Sequence, residues 1–154
     1  MILNKTYGIK DLWKYYNETY TAGNSQNRKV DFNLTLPDSF KIEYTGKLTS
    51  YNYVQILIGN IPDYNNILIS LSNNIKYYIA NNSSSYTEYK ISSFAIINLN
   101  TEYDITIVYN DGDYSILVDG NEVLNVTYTD IKPSKYLGYS IRNGQLKNIK
   151  IYQL

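Results

Sequence analysis

The chain has 154 residues, of which 44% are hydrophobic, and its 14 basic and 14 acidic residues cancel. That length suits one domain with its own core, and no window reaches the roughly 18 consecutive apolar residues of a membrane span. With zero net charge and only Arg28 and Arg142 as arginines, it lacks the basic face that nucleic acid requires and has no pull toward an anionic membrane.

Along the chain, the first 30 residues stand apart as an N-terminal segment expected to pack on the remainder of the domain. Ile9, Leu12, Trp13 and Tyr16 have helix-like spacing for about two turns, which fits a short helix or a strand with Trp13 pinned beneath a sheet. Ala22–Asn27 reads as a polar loop. From Val30 the period becomes two: Phe32, Leu34 and Leu36 share a face. After a Pro37-Asp38 turn, Phe40, Ile42, Tyr44, Gly46 and Leu48 alternate with Lys41, Glu43, Thr45, Lys47 and Thr49. This is the pattern of a strand with one buried face. Tyr53–Gly59 sets Val54, Ile56 and Ile58 against Tyr53, Gln55 and Leu57. Shorter strands are expected near Ile67–Ser72, Lys76–Asn81 and Tyr86–Ser92.

The last 45 residues are the most legible. Asp111-Gly112, Asp119-Gly120 and Asn143-Gly144 supply the positive φ angles of two-residue hairpin loops, so each predicts a reversal. Between and around them lie Tyr103–Tyr109, Tyr114–Val118, Glu122–Tyr128, Tyr136–Arg142 and Gln145–Tyr152, rich in β-branched and aromatic residues. Some eleven or twelve short strands at roughly ten-residue spacing predict one all-β, antiparallel domain over residues 1–154: a sandwich, jelly roll or barrel.

Two stretches resemble the laminin G-like members of the concanavalin A-like lectin/glucanase superfamily. One runs from Tyr103 through Val118-Asp-Gly120 to Asn121; the other is Gly144-Gln-Leu-Lys-Asn-Ile-Lys-Ile-Tyr152, similar to the family's closing strand. Asp38–Tyr44 resembles its early strand. The resemblance implies two curved antiparallel sheets packed face to face, with the termini close together. It implies no single activity, because such a fold hosts many functions.

Histidine and cysteine are both absent, which removes thiol nucleophiles, disulfides, ordinary zinc sites and every triad that needs an imidazole. Glycanases of the superfamily carry Glu-x-Asp-x-x-Glu, so that two carboxylates stand on one face. None of Glu18, Glu43, Glu88, Glu102 and Glu122 begins that motif. Glu102-Tyr-Asp104 is its nearest echo and reads as charge at a strand start. No catalytic residue is therefore assigned. Asn110–Asp113 and Asp119–Asn121 could offer oxygens to calcium, yet turn chemistry explains both, and neither a metal nor a cofactor is expected.

Tyrosine is the outlier, at 19 residues against three Phe and one Trp. Codon composition explains such an excess; so does a surface built for sugars or protein partners. Strand alternation places Tyr53, Gln55, Tyr78, Tyr86 and Glu88 on one solvent-facing side, with Tyr136, Ser140 and Arg142 similarly placed. Aromatic faces interleaved with hydrogen-bonding groups suit a sugar ring; cross-strand tyrosine pairs that stabilise a solvated sheet are the plainer explanation. The sequence thus predicts a non-catalytic carbohydrate-recognition module for a cell-surface glycan or glycoprotein. A structural or oligomerisation domain and a glycoside hydrolase or lyase are the alternatives. The start of the chain lacks a secretory signal layout. An extracellular, cell-surface or virion setting is expected, such as a viral attachment protein or adhesin, as a homo-oligomer or part of a larger polypeptide.

Overall fold

The computed structural model describes residues 12–60, 65–80, 86–91, 97–127 and 136–154, and their side chains except at 24–29, 60, 65–66, 78–80, 86–91 and 136. Nine strands lie among the described residues: β1 Leu12–Thr35, β2 Phe40–Asn60, β3 Asn65–Leu71, β4 Ile75–Ala80, β5 Tyr86–Ile91, β6 Tyr103–Asn110, β7 Asp113–Val118, β8 Asn121–Thr127 and β9 Tyr136–Gln153. Every pairing among them is antiparallel.

Three strands are far longer than the sequence suggests, and each serves two layers. The second half of β9 pairs with Leu12–Ala22 of β1 and Phe40–Leu48 of β2, and that half of β2 continues into β6, β7 and β8. This is the back layer. The first half of β9 pairs with Asn27–Thr35 of β1 and Tyr53–Ile58 of β2, which continues into β3, β4 and β5. This is the front layer. The segments expected as separate short strands are largely the halves of these bent ones, a known device for turning a sheet through a corner.

The bend corrects one sequence expectation. Asn143-Gly144 is not a reversal but a kink inside β9, with Asn143 at φ 55°. The middle strand takes the short path: Arg142 and Gly144 face Tyr53 and Leu48 of β2, so β9 spends only Asn143 where β2 spends residues 49–52. Residues 23–26 of β1 match that detour, which is where a loop was expected. Gly144 is needed because a Cβ there would lie 2.5 Å from Val54 Cγ2 and 2.7 Å from the Lys47 carbonyl oxygen.

The other two signals behave as expected. Asp111 and Gly112 (φ 46° and 87°) and Asp119 and Gly120 (φ 49° and 84°) have positive φ at both central positions, which closes two-residue hairpins that match strand twist. The Asp119 carboxylate accepts the Asp104 N–H at 2.9 Å, and Asp113 accepts the Thr127 hydroxyl. Both clusters weighed for calcium thus sit at hairpin turns, with Asp113 and Asp119 engaged across strands.

The core is built by alternation. Phe40, Ile42, Leu48, Val54, Ile56, Ile58, Leu137, Tyr139 and Ile141 are fully buried, each aliphatic side chain contributing roughly 1.5–3 kcal/mol. Rings join the layers: Tyr77 of β4 meets Tyr114 of β7 at 5.7 Å, and Tyr20 meets Tyr139 at 4.7 Å. Of the two options for the N-terminal stretch, residues from Leu12 onward form a strand, with Leu12 opposite Tyr152 and Trp13 packed against the core. The described ends of the chain are thus neighbours. Residues 1–11, and the Asn82–Ser85 connection, lie outside the described residues.

Glu102 behaves as a structural charge. It stands before β6 and accepts a 2.6 Å bond from Lys147 Nζ, which holds its carboxyl below the usual range. Because the pair is solvent-exposed, Glu102→Gln is expected to leave the urea midpoint almost where it is.

Candidate functional site

The outer side of the front layer is set directly by its register. Tyr53 stands opposite Arg142, and Gln55 is flanked by Ser140 on β9 and Ser70 on β3. One row further, Leu57 lies between Gly138 and Leu68, and Leu68 faces Tyr78, which faces Glu88. Tyr86 pairs with Ala80, and Tyr136 with Thr35. Alternate register rows thus carry every candidate position named from the sequence. The side chains of Tyr78, Tyr86, Glu88 and Tyr136 lie outside the described residues; those of Tyr53, Gln55 and Arg142 are brought together.

These three side chains are half-buried rather than fully open. Gln55 Nε2 donates to Ser70 Oγ at 3.4 Å, and Ser70 and Ser140 are buried despite pointing away from the core. Leu57 and Leu68 are also buried on this side, where alternation had placed Leu57 toward solvent. This face therefore carries a covered row of small polar and aliphatic residues beside the half-buried Tyr53, Gln55 and Arg142. Arg142 Nε is buried and has no hydrogen-bond partner among the described residues. An N–H left in that state costs about 1–3 kcal/mol.

Sequence reasoning missed Tyr51. Tyr51 is half-exposed, at 51%, in the β2 bend, and its hydroxyl donates to the Ile97 carbonyl at 3.0 Å. That bond fixes an open aromatic face. Beside it, Asn143 Nδ2 donates to Asn52 Oδ1 at 2.5 Å, tying the β9 kink to the β2 bend. Residues 97–100 close the same end: Ile97 N–H donates to Asn73 O at 3.2 Å and Asn100 N–H to Leu48 O at 2.7 Å. A Tyr-Asn-Tyr run between two apolar alternations was the available signal, but only the bend leaves Tyr51 exposed.

Such a surface offers aromatic rings, amide and guanidinium donors and hydroxyls. It can hold a neutral, hydroxyl-rich ligand by stacking and hydrogen bonds.

No protein-family model matches the chain, and no curated protein matches it in sequence. Solved structures do. A carbohydrate binding module, CBM66 from Bacillus subtilis, superposes with a TM-score of 0.72 at 9% identity, covering 91% of each chain. The exoplasmic/lumenal domain of VIP36, in its form bound to calcium and Man3GlcNAc, gives 0.69 at 14% identity over 96% of this chain and 85% of that one. A galectin from Caenorhabditis elegans, LEC-6, gives 0.62 at 12% identity over 96% and 100%. At these identities the likeness is one of fold.

Proposed function

We propose that this chain, a β-sandwich with the jelly-roll, lectin-like fold of the concanavalin A-like superfamily, is a non-catalytic glycan-recognition module whose ligand lies across the front layer. The observation that carries the reading is the alignment of Tyr53, Gln55 and Arg142, three half-buried side chains able to stack and to hydrogen-bond, on one register face beside Ser70 and Ser140. Neighbours of the same fold whose names include carbohydrate binding or bound mannose sugars support it. Tyr78, Tyr86, Glu88 and Tyr136 extend the proposed surface along the register rows.

The laminin G-like assignment within that superfamily rests on the Val118-Asp-Gly120 and Gly144–Tyr152 stretches. The non-catalytic reading rests on the absent imidazole and thiol and on the missing paired-carboxylate motif. A glycan partner on a cell or virion surface gives the module an extracellular place of action, as part of an attachment protein or adhesin.

A glycan array probed with the purified chain, with and without a chelator, tests this. Retention of a defined glycan set, unaffected by chelation, is expected. Tyr53→Ala and Arg142→Met should each weaken the best hit about tenfold or more, through loss of stacking and of a charge-assisted donor. An empty array, or variants that bind like the parent chain, would refute the proposal.

A further inference from the structure

The back layer carries a feature that the front-face reading does not use. Asn148 adopts φ 55° within β9, and the register against β2 jumps there: Lys150 faces Glu43, whereas Lys147 faces Thr45. A bulge of this kind bows one strand away from its partner. On the outer side it opens a depression of about 230 Å³ whose polar lining is Glu43, Thr45, Asp104, Thr106, Asn148 and Lys150, with Tyr44 and Ile105 also contributing. Thr45 Oγ1 donates to Asp104 Oδ1 at 2.9 Å, and the Tyr152 hydroxyl hydrogen-bonds Glu43. The next residue in the Lys150 row is Tyr15, 46% exposed, with Lys150 Nζ 5.5 Å from its ring centre.

The chemistry of the lining restricts the ligand by elimination. An anion would meet the Glu43 and Asp104 carboxylates. A calcium ion would find only those two carboxylates, with the Lys150 ammonium between the same walls, far from the six to eight oxygens it takes. An apolar group would strand every one of these polar side chains. What remains is a neutral molecule that donates and accepts from adjacent atoms, which is the property of a vicinal diol: hydroxyls can donate to Glu43 and Asp104 while accepting from Lys150, Asn148 and Thr106. The space is smaller than the roughly 300–1,000 Å³ of a drug-sized pocket, which limits the occupant to about one sugar ring. We infer that the bulge depression of the back layer is a second binding site, for a single neutral sugar or polyol residue, on the layer opposite the proposed front-face site. Two sites on opposite faces would let one chain bridge two glycans, with the avidity that linkage confers.

Amide NMR of the full chain, titrated separately with mannose, galactose and glycerol, reads the two faces independently. Saturable shifts at Thr45, Thr106, Asn148 and Lys150 with at least one of these probes are expected. Lys150→Met and Glu43→Gln, both at part-exposed positions, should each weaken that response about tenfold while leaving any shifts at Tyr53 and Arg142 unchanged. No saturable shift at the back-layer amides with any of the three probes overturns the inference, and so do shifts that persist in both variants. Failure of the front-face proposal would show separately, as silence at Tyr53 and Arg142.

Discussion

Gly144→Ala is expected to destabilise the protein by about 1–3 kcal/mol, and Gly144→Val by more, enough to unfold a domain of ordinary stability when combined with mild denaturant. The reason is steric and local. A Cβ at this point would meet Val54 Cγ2 at 2.5 Å and the Lys47 carbonyl at 2.7 Å. The methyl could be relieved by a Val54 rotamer, but the carbonyl belongs to β2 itself, and moving it separates the strands where all three long ones turn. Urea unfolding measures the effect. Gly23, in the matching detour of β1, has nothing within 4 Å of its virtual Cβ, so Gly23→Ala should leave the midpoint where it is. A Gly144→Ala midpoint equal to that of Gly23→Ala would refute the tight-bend account.

Stability should also collapse at high pH, well before the backbone itself is at risk. Tyr44 and Tyr114 are 3% and 1% exposed, and burial pushes both hydroxyls far above the ordinary tyrosine value. Tyr20 is pushed up to about 12 by burial and by the Glu18 charge, and Tyr152 to about 12 by burial and its bond to Glu43. In each case the folded state keeps a proton that the unfolded chain gives up near pH 10. The stabilisation is thus complete below about pH 10 and is lost as the pH climbs through the folded values. Two buried phenols that hold their protons cost about 3 kcal/mol per pH unit above that point, so about 6 kcal/mol is lost by about pH 12, enough to unfold a domain at the lower end of the usual range of about 5–15 kcal/mol. Urea midpoints that fall steeply above about pH 10, with phenolate absorbance rising cooperatively as the fold is lost, are expected. Independent titration of all tyrosines near pH 10 with a constant midpoint would contradict it. The Tyr44 hydroxyl has no hydrogen-bond partner among the described residues, so Tyr44→Phe should flatten the alkaline limb at no cost, or with a gain of about 1 kcal/mol, at neutral pH.

How much of this was legible depended on how local each cause is. The Asp111-Gly112 and Asp119-Gly120 hairpins were readable because the positive φ angles and the strands they join lie within a few residues. The Phe40–Leu48 alternation was readable for the same reason: one face meets a core and the other meets water. Asn143-Gly144 carries the same backbone signal and means something else, because whether a left-handed residue reverses a strand or kinks it is decided by partners on both sides, here β1 and β2. The N-terminal stretch stayed ambiguous because its partner is the last strand of the chain. Periodicity correctly assigned Tyr53, Gln55 and Leu57 to the outer side of the front layer, but it cannot say how deep that side lies. Leu57, Ser70 and Ser140 prove buried there, and Tyr51, in a stretch with no period, proves open.

The position of β9 has a consequence for how the protein comes into being. Of the nine described strands, β9 leaves the ribosome after the other eight, and it is the one that sits between β1 and β2 in both layers. Until it arrives, those two strands have no ladder on the sides that β9 will occupy, and the nascent chain exposes unpaired edges over much of its length. Closure must await contacts of the greatest sequence separation the chain contains, the condition that slows folding most. Truncation just after β8 should therefore leave an aggregation-prone polypeptide rather than a smaller folded domain, an outcome that recovery in the soluble fraction would reveal at once.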